Sequence, residues 1–280
     1  MAIASLSVLL VLAFWRGRVV RAHRRGAREP GRGPGHARRG SLELAALDVA
    51  ENAALGVVIL PLAAGGYAAF GATPGSDTVA LAAAIAAALQ TWALWSLWLS
   101  LRRWSRLRLG YEAELAAGQE LNALGGLGYV AFHDVPLDGH EAKADHVVVG
   151  PGGVFAVRTE ARGRQDAQGE REVTYDGVSL RFSRRRETAP LERAVALAGR
   201  VREWLCTEIG EPLLVQPLVV LPGWQVRRTD VSGIPVLAAS RIQHYFGRLR
   251  PRTGMSEALI ERVAQCLEAR CRGAAIPATQ

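Results

Sequence analysis

Two apolar runs limit what this chain can fold into more than anything else in it. Ala53–Ala72 and Val79–Leu101 contain no charged residue, and only Thr73-Pro74-Gly75-Ser76-Asp77-Thr78 separates them. Each is about 20 residues or longer, enough to cross a hydrocarbon core of roughly 30 Å at 1.5 Å per residue. Neither has the polar face that a soluble helix needs. Pro61 and Gly65-Gly66 in the first run are tolerated in membrane helices. The alternative is a buried helical hairpin in a soluble protein. The expectation is a transmembrane helical hairpin within residues 41–108, entered through a short lead-in helix, Ser41–Asn52, with Ser41 as its N-cap.

The flanks orient it. Residues 16–39 hold nine Arg against one Glu, and residues 102–108 hold four Arg, whereas 40–101 hold four acids and no base. Basic loops stay in the cytoplasm, so both Arg-rich flanks belong there, with the soluble portion after Arg102. Trp92, Trp95, Trp98 and Trp104 gather at that end, where tryptophan meets the headgroups. Met1–Trp15 reads as a short signal-anchor or interfacial helix. Arg16–Gly40, broken by glycines and prolines, reads as a basic flexible loop. The expected location is the cell (cytoplasmic) membrane, multi-pass, with the lipid bilayer as one partner.

Charge and cysteine content exclude several classes. The net charge of +8 lies in the flanks, because residues 109–280 carry 21 bases and 21 acids. A wholly basic nucleic-acid-binding domain is therefore not indicated, although local clusters such as Arg184–Arg186 and Arg227-Arg228 remain. Cys206, Cys266 and Cys271 form no CxxC pair, which argues against a disulfide framework or a zinc site. There is no glycine-rich phosphate loop and no nucleophile triad order.

From Gly110 the pattern is that of a mixed α/β domain. Tyr111–Leu124 reads as a helix. Tyr129–Phe132, Ala144–Val149 and Val154–Arg158 read as strands, the last two joined by the Gly150-Pro151-Gly152-Gly153 turn. Glu172–Tyr175 and Val178–Phe182 flank a second turn at Asp176-Gly177. Leu191–Ile209 is a long helix, followed by strands Val215–Leu221 and Ile234–Leu237 and helices Arg241–Phe246 and Glu257–Arg270. Alternation places Arg158 and Glu160 on one strand face, near Asp145 across the hairpin.

Several stretches together resemble the nuclease-related domain (NERD) family, a branch of the restriction-endonuclease-like PD-(D/E)XK superfamily. They are Gly110…Glu114, His133-Asp134, Ala144-Asp145-His146-Val147-Val148-Val149-Gly150-Pro151, Gly153-Val154-Phe155-Ala156-Val157-Arg158-Thr159-Glu160, Pro190-Leu191 and Leu221-Pro222-Gly223-Trp224. The resemblance spans roughly Gly110 to Ala238. It implies a restriction-endonuclease-like mixed sheet flanked by helices, covering residues 109–250, with 251–280 as a C-terminal helix and tail.

It also implies a Mg²⁺-dependent phosphodiesterase centre, and here the sequence departs from the family. The family's Glu-x-Lys stands as Arg158-x-Glu160, and its Gln after Pro-Leu as Arg193. Glu114 and Asp145 remain. A guanidinium stays cationic and offers a metal no lone pair. Three readings follow. The first is an inactive or weakly active domain that binds nucleic acid or a protein partner at the membrane, with Lys143 and Arg193 as nucleic-acid contacts and no resident cofactor. The second is an active nuclease with rearranged residues, in which Asp145 and Glu160 hold Mg²⁺. The third is a non-catalytic membrane scaffold. Glu114, Asp145, Arg158 and Glu160 are the degenerate motif positions. Lys143, the only lysine in the chain, is otherwise a solvated strand end, and Glu114 otherwise an ordinary exposed helix residue.

Overall fold

Strand periodicity organises the domain around the Lys143–Gly163 hairpin. In the computed structural model, which describes residues 33–70, 77–137, 143–163, 171–183, 185–230, 232–252 and 255–273, strand β2 runs Lys143–Gly150 and strand β3 runs Gly153–Thr159. They pair antiparallel, from His146 opposite Val157 to Gly150 opposite Gly153. Gly153 turns the chain at φ 121°, where a Cβ would be strained. Strand β1, Val130–Pro136, flanks β2 antiparallel.

Further elements complete the domain. Strands β4 (Glu172–Tyr175), β5 (Leu180–Arg181) and β6 (Arg186–Glu187) precede helix α3 (Ala189–Ile209). Strands β7 (Val215–Leu221), β8 (Gln225–Arg228) and β9 (Val236–Ala238) come next, then helices α4 (Ile242–Gly247) and α5 (Glu257–Gly273). Two earlier helices, α1 (His36–Phe70) and α2 (Asp77–Asn122), open the described chain. One sheet has the order β1-β2-β3-β7-β9 and the other β6-β5-β4-β8. Because β3–β7 and β7–β9 are parallel, the five-stranded sheet is mixed.

Helices cover both faces of that sheet. On one face Val147, Val149, Val154 and Ala156 pack with Leu197, Val201 and Leu205 of α3 and with Val263 and Leu267 of α5. The other face packs Val148, Phe155, Val157, Leu218 and Val220 against Ala117, Leu121 and Leu124 and against Ile242 and Phe246. This is an α/β domain with mixed sheets flanked by helices. Helix α5 contributes Val263 and Leu267 to its core.

The chain divides into two units, residues 1–27 with 39–108, and residues 28–38 with 109–280. Within the first, Asn52 Nδ2 donates to Ser100 Oγ at 2.9 Å and Arg103 lies 3.7 Å from Asp48. Leu81, Ile85, Leu89, Trp92, Leu94 and Trp95 are exposed. Among the described residues, one helix is long and apolar enough to cross a membrane, and 6% of its apolar window is buried. Met1–Trp15, most of the basic loop, the turn at 73–76 and the tail after Gly273 lie outside the described residues.

Among the boundaries that differ from the sequence reading, two concern the first two helices. Helix α1 starts at His36, ahead of the expected Ser41 cap, so the end of the supposed flexible loop is helical. The second apolar run, the Arg102–Arg108 segment and the expected helix from Tyr111 form one continuous helix. Arginine and leucine are good helix formers, so nothing between Leu101 and Gly110 breaks the turn-by-turn hydrogen bonding.

Candidate active site

The site lies where β1 and β2 lose their regular alternation. On β2, Val147 and Val149 face the α3–α5 side, and so does Ala144, so alternation slips by one residue between them. Phe132 and Val135 on β1 do the same. The register pairs His133 with His146 and Val135 with Ala144, leaving Asp134 opposite Asp145 at the one unpaired step. Asp134 has φ 50°, a left-handed conformation that aspartate tolerates better than most residues. Both carboxylates are buried there, at 1% and 4% exposure.

Glu114 completes an acidic group. It is 1% exposed, which corrects the reading of an ordinary surface glutamate. Burial pushes its carboxyl up to about 7, outweighing the downward pull of Lys143 and Arg38, and Asp145 and Asp134 push the same way. Those influences place Glu114, Asp134, Asp145, Lys143 and Arg38 in one electrostatic neighbourhood. Lys143 is bonded to Asp134, so it is an ion-pair partner and not a solvated strand end. Arg38 Nε lies 2.5 Å from Glu114 Oε1, while Glu114 Oε2 has no hydrogen-bond partner among the described residues.

Arg38 arrives on a short strap. Gly35 turns at φ 75° against the Tyr111 ring. A Cβ on Gly118 would meet Pro34 Cβ at 2.2 Å, and one on Gly110 would meet an Arg38 Nη at 2.2 Å. Two glycines on α2 thus allow residues 34–38 to lie against the helix that carries Glu114.

Arg158 links this group to a second. Its Nη1 is 3.8 Å from Asp145 Oδ2 and its Nε 3.5 Å from Glu160 Oε1. The second distance satisfies an ion pair but not hydrogen-bond geometry, since both atoms are without hydrogen-bond partners among the described residues. Glu160 also faces Arg193 at 3.3 Å and Arg162 at 3.9 Å, and Arg162 bonds Glu187 at 2.5 Å. The Thr159 amide donates to Asp145 Oδ2 at 3.2 Å. Arg193, half exposed, serves here as a partner of Glu160.

A chain of polar contacts backs Asp145. His133 Nε2 meets Asn122 Oδ1 at 2.9 Å, His133 Nδ1 meets His146 Nδ1 at 2.8 Å, and His146 Nε2 meets Thr159 Oγ1 at 3.1 Å. Burial pushes both imidazoles below their ordinary range, His146 furthest, and His133 adds to the effect on His146. Two neutral rings can share one proton between facing nitrogens only in one direction. The Asn122 oxygen accepts from His133 Nε2–H, so His146 donates through Nδ1–H and accepts the Thr159 hydroxyl.

These donors do not suit a divalent ion. Asp145 and Glu160 are both engaged by Arg158, a fixed cation that cannot coordinate metal. Among the described residues, no three of His, Cys, Asp and Glu converge as a metal-binding group. The sequence reading named Glu114, Asp145, Arg158, Glu160, Lys143 and Arg193, and the structure places all six in ion pairs: Glu114 with Arg38, Lys143 with Asp134, and Asp145, Arg158, Glu160 and Arg193 in one network. It did not single out Arg38, Arg162 or Glu187. Arg162 continues the strand alternation past Glu160, a signal that was available; Arg38 lies 76 positions from its partner and gives none.

No curated protein and no solved structure matches the chain. The sequence model of the nuclease-related domain matches residues 109–222, a stretch that holds every site residue above except Arg38. Residues 109–222 of this chain are a nuclease-related domain (NERD).

Proposed function

We propose that this NERD domain is a nuclease-derived domain whose hydrolytic centre has been replaced by ion pairs. In this reading the helices of residues 41–108 anchor it at the inner face of the cell membrane, where it binds nucleic acid or a protein partner. One observation carries the reading: Arg158 lies against both Asp145 and Glu160, the carboxylates a metal would need. The restriction-endonuclease-like relationship is supported by the mixed sheet with the family's motif positions on its adjacent strands β2 and β3. Anchoring is supported by the large apolar side chains left exposed along α2, among them Leu81 at 62% and Trp95 at 59%, a patch that water does not favour. Trp98 lies beneath the Arg102 guanidinium at 3.7 Å, an aromatic and basic pairing suited to a headgroup boundary.

A second reading, hydrolysis by rearranged residues, draws on Glu114. A buried carboxyl at about 7 with one unbonded oxygen has the proton affinity of a general acid.

The test is cleavage of labelled DNA and RNA by the full chain in neutral detergent, with Mg²⁺ or Mn²⁺ and then EDTA. No cleavage, with salt-dependent binding of the same probes, supports the first reading. Metal-dependent cleavage abolished by Asp145→Ala overturns it in favour of the second. Neither cleavage nor binding leaves a membrane scaffold that docks proteins.

A further inference from the structure

The outer face of the second sheet takes no part in the site above, yet it carries an ordered row of charge. Thr174 lies opposite Arg181 on one side and Arg227 on the other, and Arg181 lies opposite Arg186. Directly opposed residues share a face, so Arg186, Arg181, Thr174 and Arg227 form one line across β6-β5-β4-β8. The neighbouring line turns inward at Tyr175 and Leu180, which are buried, whereas the three arginines are exposed. With strands about 4.8 Å apart, the row is about 14 Å long.

Like charges directly opposite one another destabilise a sheet, so Arg181 against Arg186 is a cost that packing does not explain. Two carboxylates border the row. Glu172 lies 3.9 Å from Arg227, and Asp176 lies 3.1 Å from Arg186. Ser179 Oγ accepts from Arg186 Nε at 2.7 Å, which fixes that end. Arg181, in the middle, makes no ion pair with a described residue. The β6 end adjoins the site, because Glu187, next to Arg186, bonds Arg162 beside Glu160.

We propose that this row is a docking track for one strand of a nucleic-acid backbone. Guanidinium groups pair with phosphate through two parallel N–H donors. No aromatic side chain stands in the row, so contacts are to phosphate alone and carry no base preference. Anionic lipid offers the same phosphate chemistry, but a single file of donors matches a linear polyanion better than a headgroup plane. The track rests on the nuclease-derived reading only for where the strand leads, not for the row itself.

The experiment measures fluorescence anisotropy of a labelled oligodeoxythymidylate of about 16 nucleotides with the full chain in neutral detergent and EDTA. Three phosphate contacts give a log–log salt slope of about −2, from roughly 0.7 per phosphate on a single strand. Arg181→Glu/Arg227→Glu should weaken binding roughly tenfold or more at low salt, and Arg181→Thr/Arg227→Thr by less. Arg202→Glu, on the exposed side of α3, should leave it unchanged. Equal affinity of the row variants and the wild type, at unchanged melting temperature, overturns the proposal. So does absence of wild-type binding at low salt, or row-dependent binding to phosphatidylserine vesicles alone. Metal-dependent cleavage would contradict the proposed function and leave the track standing, so the two failures are distinguishable.

Discussion

Arg38 donates to Glu114 at 2.5 Å, so a cation from the first turn of α1, ahead of both apolar runs, neutralises a carboxylate inside the nuclease-related domain. The strap that delivers it fits because Gly110 and Gly118 have no side chains. Arg38→Ala should cost about 1–3 kcal/mol in denaturant unfolding, the range for leaving a buried polar group unsatisfied. Adding Glu114→Gln should recover part of that loss. Gly118→Ala is a sharper case. Alanine favours a helix over glycine by about 1 kcal/mol, yet its Cβ would strike Pro34, so net destabilisation is expected, with faster tryptic cleavage at Arg38-Arg39. Net stabilisation would mean that the strap does not dock there.

Glu114 and the histidines give opposite pH signatures. The folded protein holds the Glu114 proton up to about 7, whereas the unfolded chain releases it near 4.5. Folded protein therefore binds more protons in that window, and this contribution is full below 4.5 and lost as pH rises through 7. His133 and His146 are depressed, so the unfolded chain binds more protons below 6.5 and their contribution is lost as pH falls from there. Melting temperatures of Glu114→Gln should lose the decline toward pH 7 and keep the decline in acid. A parallel pH profile in wild type and variant would show that Glu114 titrates normally.

Asn122, His133, His146 and Thr159 form a directional chain. Two-bond ¹⁵N–¹H correlation spectra should show His133 as the Nε2–H tautomer and His146 as Nδ1–H at neutral pH. Thr159→Val should cost about 1 kcal/mol, as a lost neutral hydrogen bond. Finding His133 protonated at Nδ1 would reverse the chain.

The hairpin from Lys143 to Gly163 was legible because valine-rich runs and a Gly-Pro-Gly-Gly turn admit little else. The charge change at Arg158 and Glu160 was legible too, since strand alternation alone puts both on one face. The slip at Asp134 and Asp145 was not. It depends on a left-handed aspartate, which no period reveals, and it sets Asp134 opposite Asp145, both within electrostatic reach of Glu114. Nor is the continuous helix Asp77–Asn122 legible: the change of composition at Gly110 marks a domain boundary there, while the absent side chain of Gly110 makes room for Arg38. Strand β6, two residues long, carries no periodic signal, so the partner of Arg162 at Glu187 was invisible.

Exchanging the charges tests whether the scaffold is intact. Arg158→Glu/Glu160→Lys restores the family's order on the same strand face. That double variant should gain metal-dependent cleavage of labelled DNA or RNA over a wild-type background of none. Each single change should stay inactive, because one leaves two adjacent carboxylates without their cation and the other two adjacent cations. Activity in either single variant would place the chemistry elsewhere.

The most direct test of the central claim is Mn²⁺ binding to the full chain by electron paramagnetic resonance. If Arg158 has taken the ligand position beside Asp145, wild type and Asp145→Ala should bind Mn²⁺ equally weakly. A bound ion in the wild type that disappears in Asp145→Ala would contradict the account.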